Sequence, residues 1–375
     1  MKSKIWLSSP HMGGNEQKYI NEAFEQNWVA PLGPNVNGFE EDLRNFLGGK
    51  VHVAGLSAGT AALHLGLILL GVKAGDEVIC QSMTFAASAN PIKYLGAKPV
   101  FVDSEAETLN ICPKALEEAI QNRIENGSKP KAIVAVHLYG MPYKHREIRS
   151  IADKYEIPIL EDAAEALGST YYGENCGTLG DISILSFNGN KIITTSGGGA
   201  LVCKDEAIKQ KAVFLATQAR DDAPHYQHSQ IGYNYRLSNI CAGIGRGQME
   251  VLAERVNQRR AMHAFYQELF KDFKDIQLLT EENEDLFSNH WLSVILLKDY
   301  EQREKLRLAL AEENIESRPL WKPMHMQPVF SDAMYFGEKV SEDAFNRGLC
   351  LPSGSNLTNE DRDRIKSCIL HALTQ

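Results

Sequence analysis

The sequence predicts an α/β protein with a large, mostly parallel sheet and a smaller C-terminal α/β domain. Through the first two thirds of the chain, short apolar and β-branched runs alternate with segments of helix length, which is the pattern of repeated βαβ units. Most of these runs are apolar throughout and do not alternate with polar residues, as expected for strands covered on both faces. The two observations together predict a parallel sheet between layers of helices.

The strands predicted in this region are Val51–Leu56, Glu77–Cys80, Pro99–Val102, Lys131–His137, Pro158–Leu160, Asp181–Phe187 and Ala200–Cys203. The helices predicted between the earlier strands are Thr60–Leu70, Pro113–Asn122 and Tyr143–Tyr155. The glycines from Gly243 to Gly247 follow no predicted strand, so they indicate close packing of a helix and not a dinucleotide-binding turn.

The series of short apolar runs gives way to a long, charged and helix-periodic segment near residue 250, where we predict a domain boundary. Residues 1–250 are assigned to the large domain with an N-terminal arm, and residues 251–375 to the small C-terminal domain. The elements predicted from there on are the helix Gln248–Phe273, the strand His290–Leu297, the helix Glu301–Glu312 and a terminal helix capped by Thr358.

The composition excludes several classes of protein. The 375 residues include 39 basic and 48 acidic ones, and the net charge of −9 argues against binding to nucleic-acid backbones. Seven cysteines are scattered without metal-ligand spacing, which indicates reduced thiols in a cytoplasmic protein and predicts no metal site. The most apolar stretch, Leu63–Val72, is about half the length of a membrane span, so no membrane association is expected.

Four features follow predicted strands, at the edge of the sheet where ligands of α/β proteins bind. Residues 57–60 lead into a helix and can hold an anion on free amides, although an ordinary turn is the commoner explanation of such a tetrapeptide. Phe85 follows the second strand, Asp162 lies just past another, and Lys191 follows a third and precedes the glycines of 197–199. Taken singly, Phe85 suits a core residue, Asp162 suits a helix cap as well as a ligand, and Lys191 suits a solvated surface.

The order of these four features along the chain favours a single site. An anion cradle, an aromatic ring, a carboxylate for a ring nitrogen and an amine for an aldehyde are the groups that pyridoxal 5′-phosphate (PLP) requires. Four unrelated coincidences in that order are much less probable than one site. We therefore predict a PLP site with Lys191 as nucleophile and proton carrier.

Longer motifs around these residues resemble the DegT-type sugar-nucleotide aminotransferases, which are fold-type-I PLP enzymes. The motifs are residues 57–63 (SAGTAAL), 161–168 (EDAAEALG), 186–191 (SFNGNK) and 232–236 (GYNYR). Residues 30–33 (APLG), 192–199 (IITTSGGG) and 318–322 (RPLWK) resemble the subgroup that makes UDP-4-amino-4,6-dideoxy-N-acetylglucosamine on the bacillosamine route. The resemblance covers nearly the whole chain and implies the fold-type-I architecture.

The resemblance also implies roles for individual residues. Lys191 would carry the cofactor, Asp162 would pair with the pyridinium nitrogen and Phe85 would stack on the ring. The other implied cofactor-binding residues are Ala58, Gly59, Thr60, Glu165 and Ser186, with Asn234 supplied by the second subunit of a homodimer. The residues implied to line the sugar-nucleotide pocket are Asn27, Trp28, Val29, Ala30, Arg318, Pro319, Leu320, Trp321 and His325. Two of these residues differ from many relatives, because Ala58 replaces a serine and Glu165 replaces a glutamine.

The implied activity is transfer of the amino group of L-glutamate to C4 of a UDP-linked 4-keto-6-deoxy N-acetyl sugar. GDP- or dTDP-linked 4-keto sugars, of the perosamine or pseudaminic type, remain open as substrates. A related family dehydrates sugars with a histidine in place of the lysine, and Lys191 argues against that activity. A sugar-nucleotide sensor would need a DNA-binding or partner module, and an oxidoreductase would need a dinucleotide fingerprint; neither signal is present in the sequence.

Overall fold

The computed structural model describes residues 2–374, which form a large sheet and two smaller ones. The strands in chain order are β1 (His52–Leu56), β2 (Glu77–Gln81), β3 (Lys98–Val102), β4 (Ala132–Val136), β5 (Ile159–Asp162), β6 (Thr170–Tyr171), β7 (Glu174–Asn175), β8 (Ile182–Ser186), β9 (Gly199–Cys203), β10 (Gln277–Leu278), β11 (Leu286–Phe287), β12 (Ser293–Leu296), β13 (Arg318–Pro319), β14 (Met334–Phe336) and β15 (Gly348–Leu351).

Helices pack around these sheets. They are α1 (Glu16–Glu25), α2 (Pro34–Phe46), α3 (Gly59–Leu69), α4 (Ala86–Tyr94), α5 (Pro113–Glu125), α6 (His145–Lys154), α7 (Glu206–Ala216), α8 (Asn239–Met249), α9 (Leu252–Phe270), α10 (Tyr300–Glu312), α11 (Val340–Arg347) and α12 (Asn359–Thr374). Of these, α3, α5, α6, α10 and α12 begin within two residues of the predicted positions. The predicted cap of α12 is present, because the Asp361 N–H donates to Thr358 Oγ1 at 3.2 Å.

The large sheet has the strand order β1-β9-β8-β5-β4-β2-β3-β14. The neighbours from β8 to β14 are all parallel, whereas β9 is antiparallel to both β8 and β1. In β4, Ile133 packs with the apolar residues of α5 and α6, whereas the next residue, Val134, packs with those of α3 and α4. Both faces are therefore buried, and the prediction of a mostly parallel α/β sheet is confirmed.

The C-terminal third builds the antiparallel sheet β10-β12-β15-β13, whose core includes residues of α9, α10 and α12. β14 belongs to the same third of the chain but pairs in parallel with β3 at the edge of the large sheet. The domain boundary near residue 250 stays a prediction.

The single helix predicted at Gln248–Phe273 is wrong, because a break near residue 250 separates α8 from α9. The two helices pack against different parts of the protein. A Cβ on Gly247 would lie 2.6 Å from the Glu16 backbone nitrogen, so α8 packs closely on α1. α9 instead contributes Met262 and Tyr266 to the C-terminal core. Among the described helices, from α1 to α12, none is long and apolar enough to cross a membrane.

Candidate active site

A cavity of about 910 Å³ lies at the carboxyl edge of the large sheet, where β1, β5 and β8 end. Its volume is in the range of pockets for small molecules and cofactors. The predicted site residues that line it are Ala58, Gly59, Thr60, Phe85, Asp162, Glu165, Ser186, Lys191, Arg318, Pro319, Leu320 and Trp321. Residues from distant parts of the chain thus meet at one place.

The amino end of α3 lies at residues 57–60, where the sequence predicts an anion cradle. α3 begins at Gly59, shortly after β1, and no side chain caps its first turn. A Cβ on Gly59 would lie 3.0 Å from Ser186 Cβ, so the helix end packs directly on the end of β8. The first amides of a helix lack intrahelical partners, and they carry the positive end of the helix dipole. This helix end can therefore hold a phosphate group.

Gly199 of β9 permits this close packing, because a Cβ there would lie 2.4 Å from both the Ala58 carbonyl carbon and the Gly59 nitrogen. We expect Gly199→Ala to displace α3, to lower the free energy of unfolding by about 1–3 kcal/mol and to weaken PLP binding. Thermal unfolding and cofactor titration measure these effects. Gly197→Ala is the matched control, since no atom beyond its two chain neighbours lies within 4 Å of its Cβ position. Equal behaviour of the two variants would contradict the packing argument.

Asp162 is the last residue of β5, and only 4% of it is exposed. Its carboxylate accepts hydrogen bonds from Ser88 Oγ at 2.6 Å and from the Ala164 N–H at 3.1 Å. Burial raises the pKa of Asp162 above its usual value, while these two hydrogen bonds and the charge of Lys191 act in the opposite direction. A buried carboxylate in this setting is stabilised by a cationic partner, such as a protonated ring nitrogen.

Lys191 lies in the loop between β8 and β9. Its Nζ is 3.0 Å from Glu165 Oε1 and 4.1 Å from the centroid of the Trp291 ring. Glu165 is buried, and its second oxygen accepts the Tyr139 N–H at 2.8 Å. Burial raises the pKa of Glu165 to about 7, although the charge of Lys191 limits the rise. The amine is therefore held at the cavity wall between a carboxylate and an aromatic face.

The raised pKa of Glu165 predicts a pH dependence of stability. The ordinary value is 4.5, so between that pH and about 7 the folded chain holds a proton on Glu165 that the unfolded chain has lost. Stability of the cofactor-free protein should therefore fall as the pH rises through this window, by on the order of 3 kcal/mol from this group. We expect Glu165→Gln to remove this contribution, as measured by urea unfolding at several pH values.

The control for this measurement is Glu174→Gln, at an exposed glutamate in β7. Glu174→Gln also removes one carboxyl, but an exposed one, so a change of pH slope that occurs only in Glu165→Gln reports on the buried Glu165 and its neighbours. The same pH slope in Glu165→Gln and in wild type would contradict the assignment.

Three aromatic side chains form one wall of the cavity. Phe85 precedes α4, and 58% of it is exposed even though it is a large apolar residue. Its ring centroid lies 5.6 Å from that of Trp321, which in turn lies 6.3 Å from that of Trp291. An exposed ring inside a cavity offers a surface on which a flat heterocycle can stack.

The outer part of the cavity contains the segment 318–322. Arg318 begins β13, and 69% of its side chain is exposed while it donates to Glu316 Oε1 at 2.8 Å. Lys322 also lines the cavity. Two cationic side chains on this part of the lining suit a ligand with a negatively charged phosphate or diphosphate.

The structure does not bring His325 to the cavity lining. Its ring stacks on Tyr335 at a centroid distance of 3.7 Å, and its Nδ1 is 2.6 Å from Ser82 Oγ. The adjacent Met324 N–H donates to the Ser82 carbonyl at 2.8 Å. This second hydrogen bond holds the segment of His325 beside the end of β2, outside the cavity lining.

Asn234 and the segment 27–30 also lie outside the cavity of their own chain. Asn234 is exposed in a loop, and Trp28 and Val29 are 37% and 53% exposed. The segment is nevertheless fixed, because the Asn239 N–H donates to the Ala30 carbonyl at 2.9 Å.

Sequence reasoning missed three residues that shape the site. Ser88 holds Asp162, and its position three residues after Phe85 is a signal that could have identified it. Trp291 lies under the Lys191 amine and donates from Nε1 to the Asn190 carbonyl at 2.6 Å. The fully buried Arg259 donates to the Trp291 carbonyl at 2.6 Å. Nothing in the local sequence marks the last two.

The residues at this cavity fit PLP. The uncapped end of α3 suits its phosphate, the buried Asp162 suits its ring nitrogen and the exposed face of Phe85 suits its ring. Lys191 offers an amine at the same cavity. These residues therefore match the cofactor at its phosphate, its ring nitrogen, its ring face and its aldehyde.

Comparisons with known proteins agree with this geometry. Residues 10–370 match the DegT/DnrJ/EryC1/StrS aminotransferase family. The chain is 52% identical over 375 residues to EpsN of Bacillus subtilis (strain 168), provisionally described as a pyridoxal phosphate-dependent aminotransferase, with 99% of this chain and 96% of EpsN covered. It is 39% identical over 359 residues to the GDP-perosamine synthase of Escherichia coli O157:H7, with 95% of each covered.

A similar solved structure is the PLP-form of Spr1654 from Streptococcus pneumoniae, provisionally described as a sugar aminotransferase. It matches with a TM-score of 0.91 at 25% identity and covers 99% of both chains. The fold is that of the fold-type-I PLP enzymes, the cofactor is PLP, and the protein is a sugar-nucleotide aminotransferase. The chain belongs to the DegT/DnrJ/EryC1/StrS aminotransferase family.

Proposed function

We propose that this protein transfers the amino group of L-glutamate to C4 of a UDP-linked 4-keto-6-deoxy N-acetyl sugar. The product is a UDP-4-amino-4,6-dideoxy sugar of the kind used for bacillosamine-type glycans. The observation that carries the proposal is the Lys191 amine, which lies 3.0 Å from Glu165 in a cavity large enough for cofactor and sugar together. The nucleotide and the acetylated sugar rest on the subgroup motifs at residues 30–33, 192–199 and 318–322.

PLP, when bound, supplies an electron sink that stabilises negative charge at the carbon bearing the amine. Lys191 would carry the proton between the Cα of glutamate and the cofactor in the first half-reaction, and between the cofactor and C4 of the sugar in the second. Asp162 would keep the ring nitrogen protonated through its negative charge. The α3 amino end and Ser186 would hold the phosphate, so the ring would stay in place while the two substrates exchange.

The substrate side of the site uses local cations, since the net charge of −9 does not attract an anionic ligand. Arg318 and Lys322 line the outer cavity and are suited to the diphosphate of a sugar nucleotide. Leu320 is buried behind Trp321, and Trp321 presents an aromatic surface toward the cavity. A sugar ring can stack on such a surface while the nucleotide remains near the mouth.

We further propose that the working unit is a homodimer in which Asn234 and residues 27–30 complete the site of the second chain. These residues are mostly exposed, and the apolar side chains of Trp28 and Val29 face solvent in the single chain. Exposed apolar side chains on a fixed segment are typical of an interface.

A GDP-linked 4-keto sugar is the second candidate substrate. It is favoured by the 39% identity to a GDP-perosamine synthase over nearly the whole chain. A pseudaminic-type sugar or a dTDP-linked sugar is the third possibility. All of these substrates share the 4-keto group that the amine would reach.

Turnover of the PLP-loaded protein with L-glutamate across UDP-, GDP- and dTDP-linked 4-keto sugars separates these candidates. We expect the largest kcat/KM with the UDP-linked N-acetyl sugar, and NMR of the product identifies the configuration at C4. A larger kcat/KM with the GDP-linked sugar would replace our first candidate with the second. Absence of turnover with every sugar nucleotide would overturn the proposed substrate class.

A further inference from the structure

Tyr139 combines deep burial with an uncommon backbone conformation. It lies in the turn Leu138–Gly140 that follows β4, with φ 55° and ψ 19°, and only 1% of it is exposed. A bulky residue with positive φ is strained, and such strain persists only where the surroundings fix the residue firmly. Strained residues of this kind cluster at functional sites.

The backbone N–H and the hydroxyl of Tyr139 both form hydrogen bonds, and each contacts a different residue of the cavity lining. Its backbone N–H donates to Glu165 Oε2 at 2.8 Å, and the other oxygen of Glu165 contacts Lys191. Its hydroxyl oxygen accepts the backbone N–H of Trp321 at 2.9 Å. One residue therefore joins the cofactor side of the site to the segment that carries Arg318 and Trp321.

The position of Trp321 depends on this contact. Its ring packs on Tyr139 at a centroid distance of 5.0 Å and on Phe85 at 5.6 Å. Burial raises the pKa of Tyr139 well above its usual value, so the hydroxyl stays neutral and remains an acceptor for the amide. Tyr139 itself does not line the cavity, so any effect it has on a ligand passes through its neighbours Trp321, Glu165 and Cys350, which do line it.

We propose that Tyr139 is a positioning residue for the sugar nucleotide, because its hydroxyl fixes the Trp321 segment at the distance from Glu165 and Lys191 that amination of the sugar requires. The inference rests on the proposed function and adds to it the residue that sets the spacing between the two substrate-facing sides. The hydroxyl is not expected to affect the half-reaction with L-glutamate. The contact of Tyr139 to Glu165, beside Lys191, uses the backbone N–H instead.

Tyr139→Phe tests this directly, because it removes the hydroxyl and keeps both the ring and the backbone N–H. The Trp321 amide then loses its acceptor. We expect the apparent KM for the UDP-linked 4-keto-6-deoxy N-acetyl sugar to rise about tenfold. The half-reaction with L-glutamate, followed by stopped-flow absorbance, should change less than about twofold. Equal losses in both half-reactions, or no change in either, would overturn the proposal.

A second readout does not depend on the substrate. Amide hydrogen exchange of residues 318–322, measured by mass spectrometry, should accelerate in Tyr139→Phe while the strands of the large sheet keep their protection. Faster exchange throughout the chain would indicate a merely structural role, and unchanged exchange at 318–322 would show that the hydroxyl does not hold this segment. Either result rejects the inference.

Tyr143→Phe is the matched control. Tyr143 is also fully buried, follows the same turn and bonds through its hydroxyl to His145 at 3.2 Å, away from the cavity. It should leave both the KM and the exchange of residues 318–322 unchanged. If the wild-type protein aminates none of the sugar nucleotides, the proposed function fails, whereas the exchange experiment still decides the role of Tyr139.

Discussion

Replacing Lys191 by alanine is expected to lower turnover with L-glutamate and a 4-keto sugar nucleotide by at least about a thousandfold. The variant loses the amine that moves the proton in both half-reactions. The α3 amino end, Ser186 and Asp162 remain, so the variant should still bind PLP with reduced affinity. Steady-state kinetics and equilibrium dialysis of the cofactor measure the two effects.

The control is Lys204→Ala, at an exposed lysine that follows β9. This variant also removes a lysine side chain, but one on the surface, and it should retain wild-type turnover. Thermal unfolding of both variants shows whether the fold is intact. Near-normal turnover in Lys191→Ala would contradict the assignment of this lysine.

Asp162→Asn is expected to lower turnover by about a hundredfold or more. Asparagine has nearly the same shape but carries no charge, so the ring nitrogen of the cofactor loses the anion that keeps it protonated. The hydrogen bond from Ser88 Oγ, at 2.6 Å in the wild type, can still be accepted by the amide oxygen. The amide nitrogen then faces the Ala164 N–H, which loses the acceptor that it has at 3.1 Å in the wild type. The loss therefore reports on the charge together with one hydrogen bond.

Two further variants support this measurement. Ser88→Ala keeps the charge and removes one hydrogen bond that stabilises it, so turnover should fall in the same direction but less. Asp363→Asn, at an exposed position in α12, should have no effect. A loss of turnover below tenfold in Asp162→Asn would count against its proposed partnership with the ring nitrogen.

Much of the fold and the inner part of the site could be predicted because their signals are local. Continuous apolar runs indicate the buried strands. Asp162 ends one of these strands and Lys191 lies in the loop after another, so both could be found from the strand positions. The edge strand β14 was not predicted, because its three residues are only half-buried and are defined by pairing with β3.

The remaining parts of the site depend on contacts between distant segments. Arg259 reaches the Trp291 carbonyl across 32 residues, and Tyr139 meets Trp321 across 182 residues. Nothing in the local sequence distinguishes Arg259 from other arginines or Tyr139 from other tyrosines. His325 shows the converse: it follows the motif at 318–322 closely, but a hydrogen bond to Ser82 turns it away from the cavity.

The central claim is that the nitrogen of glutamate ends on C4 of a nucleotide-linked sugar. The most direct test is to incubate the PLP-loaded protein with nitrogen-labelled L-glutamate and the UDP-linked 4-keto-6-deoxy N-acetyl sugar, and to follow the label by NMR. We predict labelled nitrogen bonded to C4 of the sugar together with an equal amount of 2-oxoglutarate. Formation of 2-oxoglutarate without label in any sugar nucleotide of the panel, or no reaction of glutamate, would contradict this account.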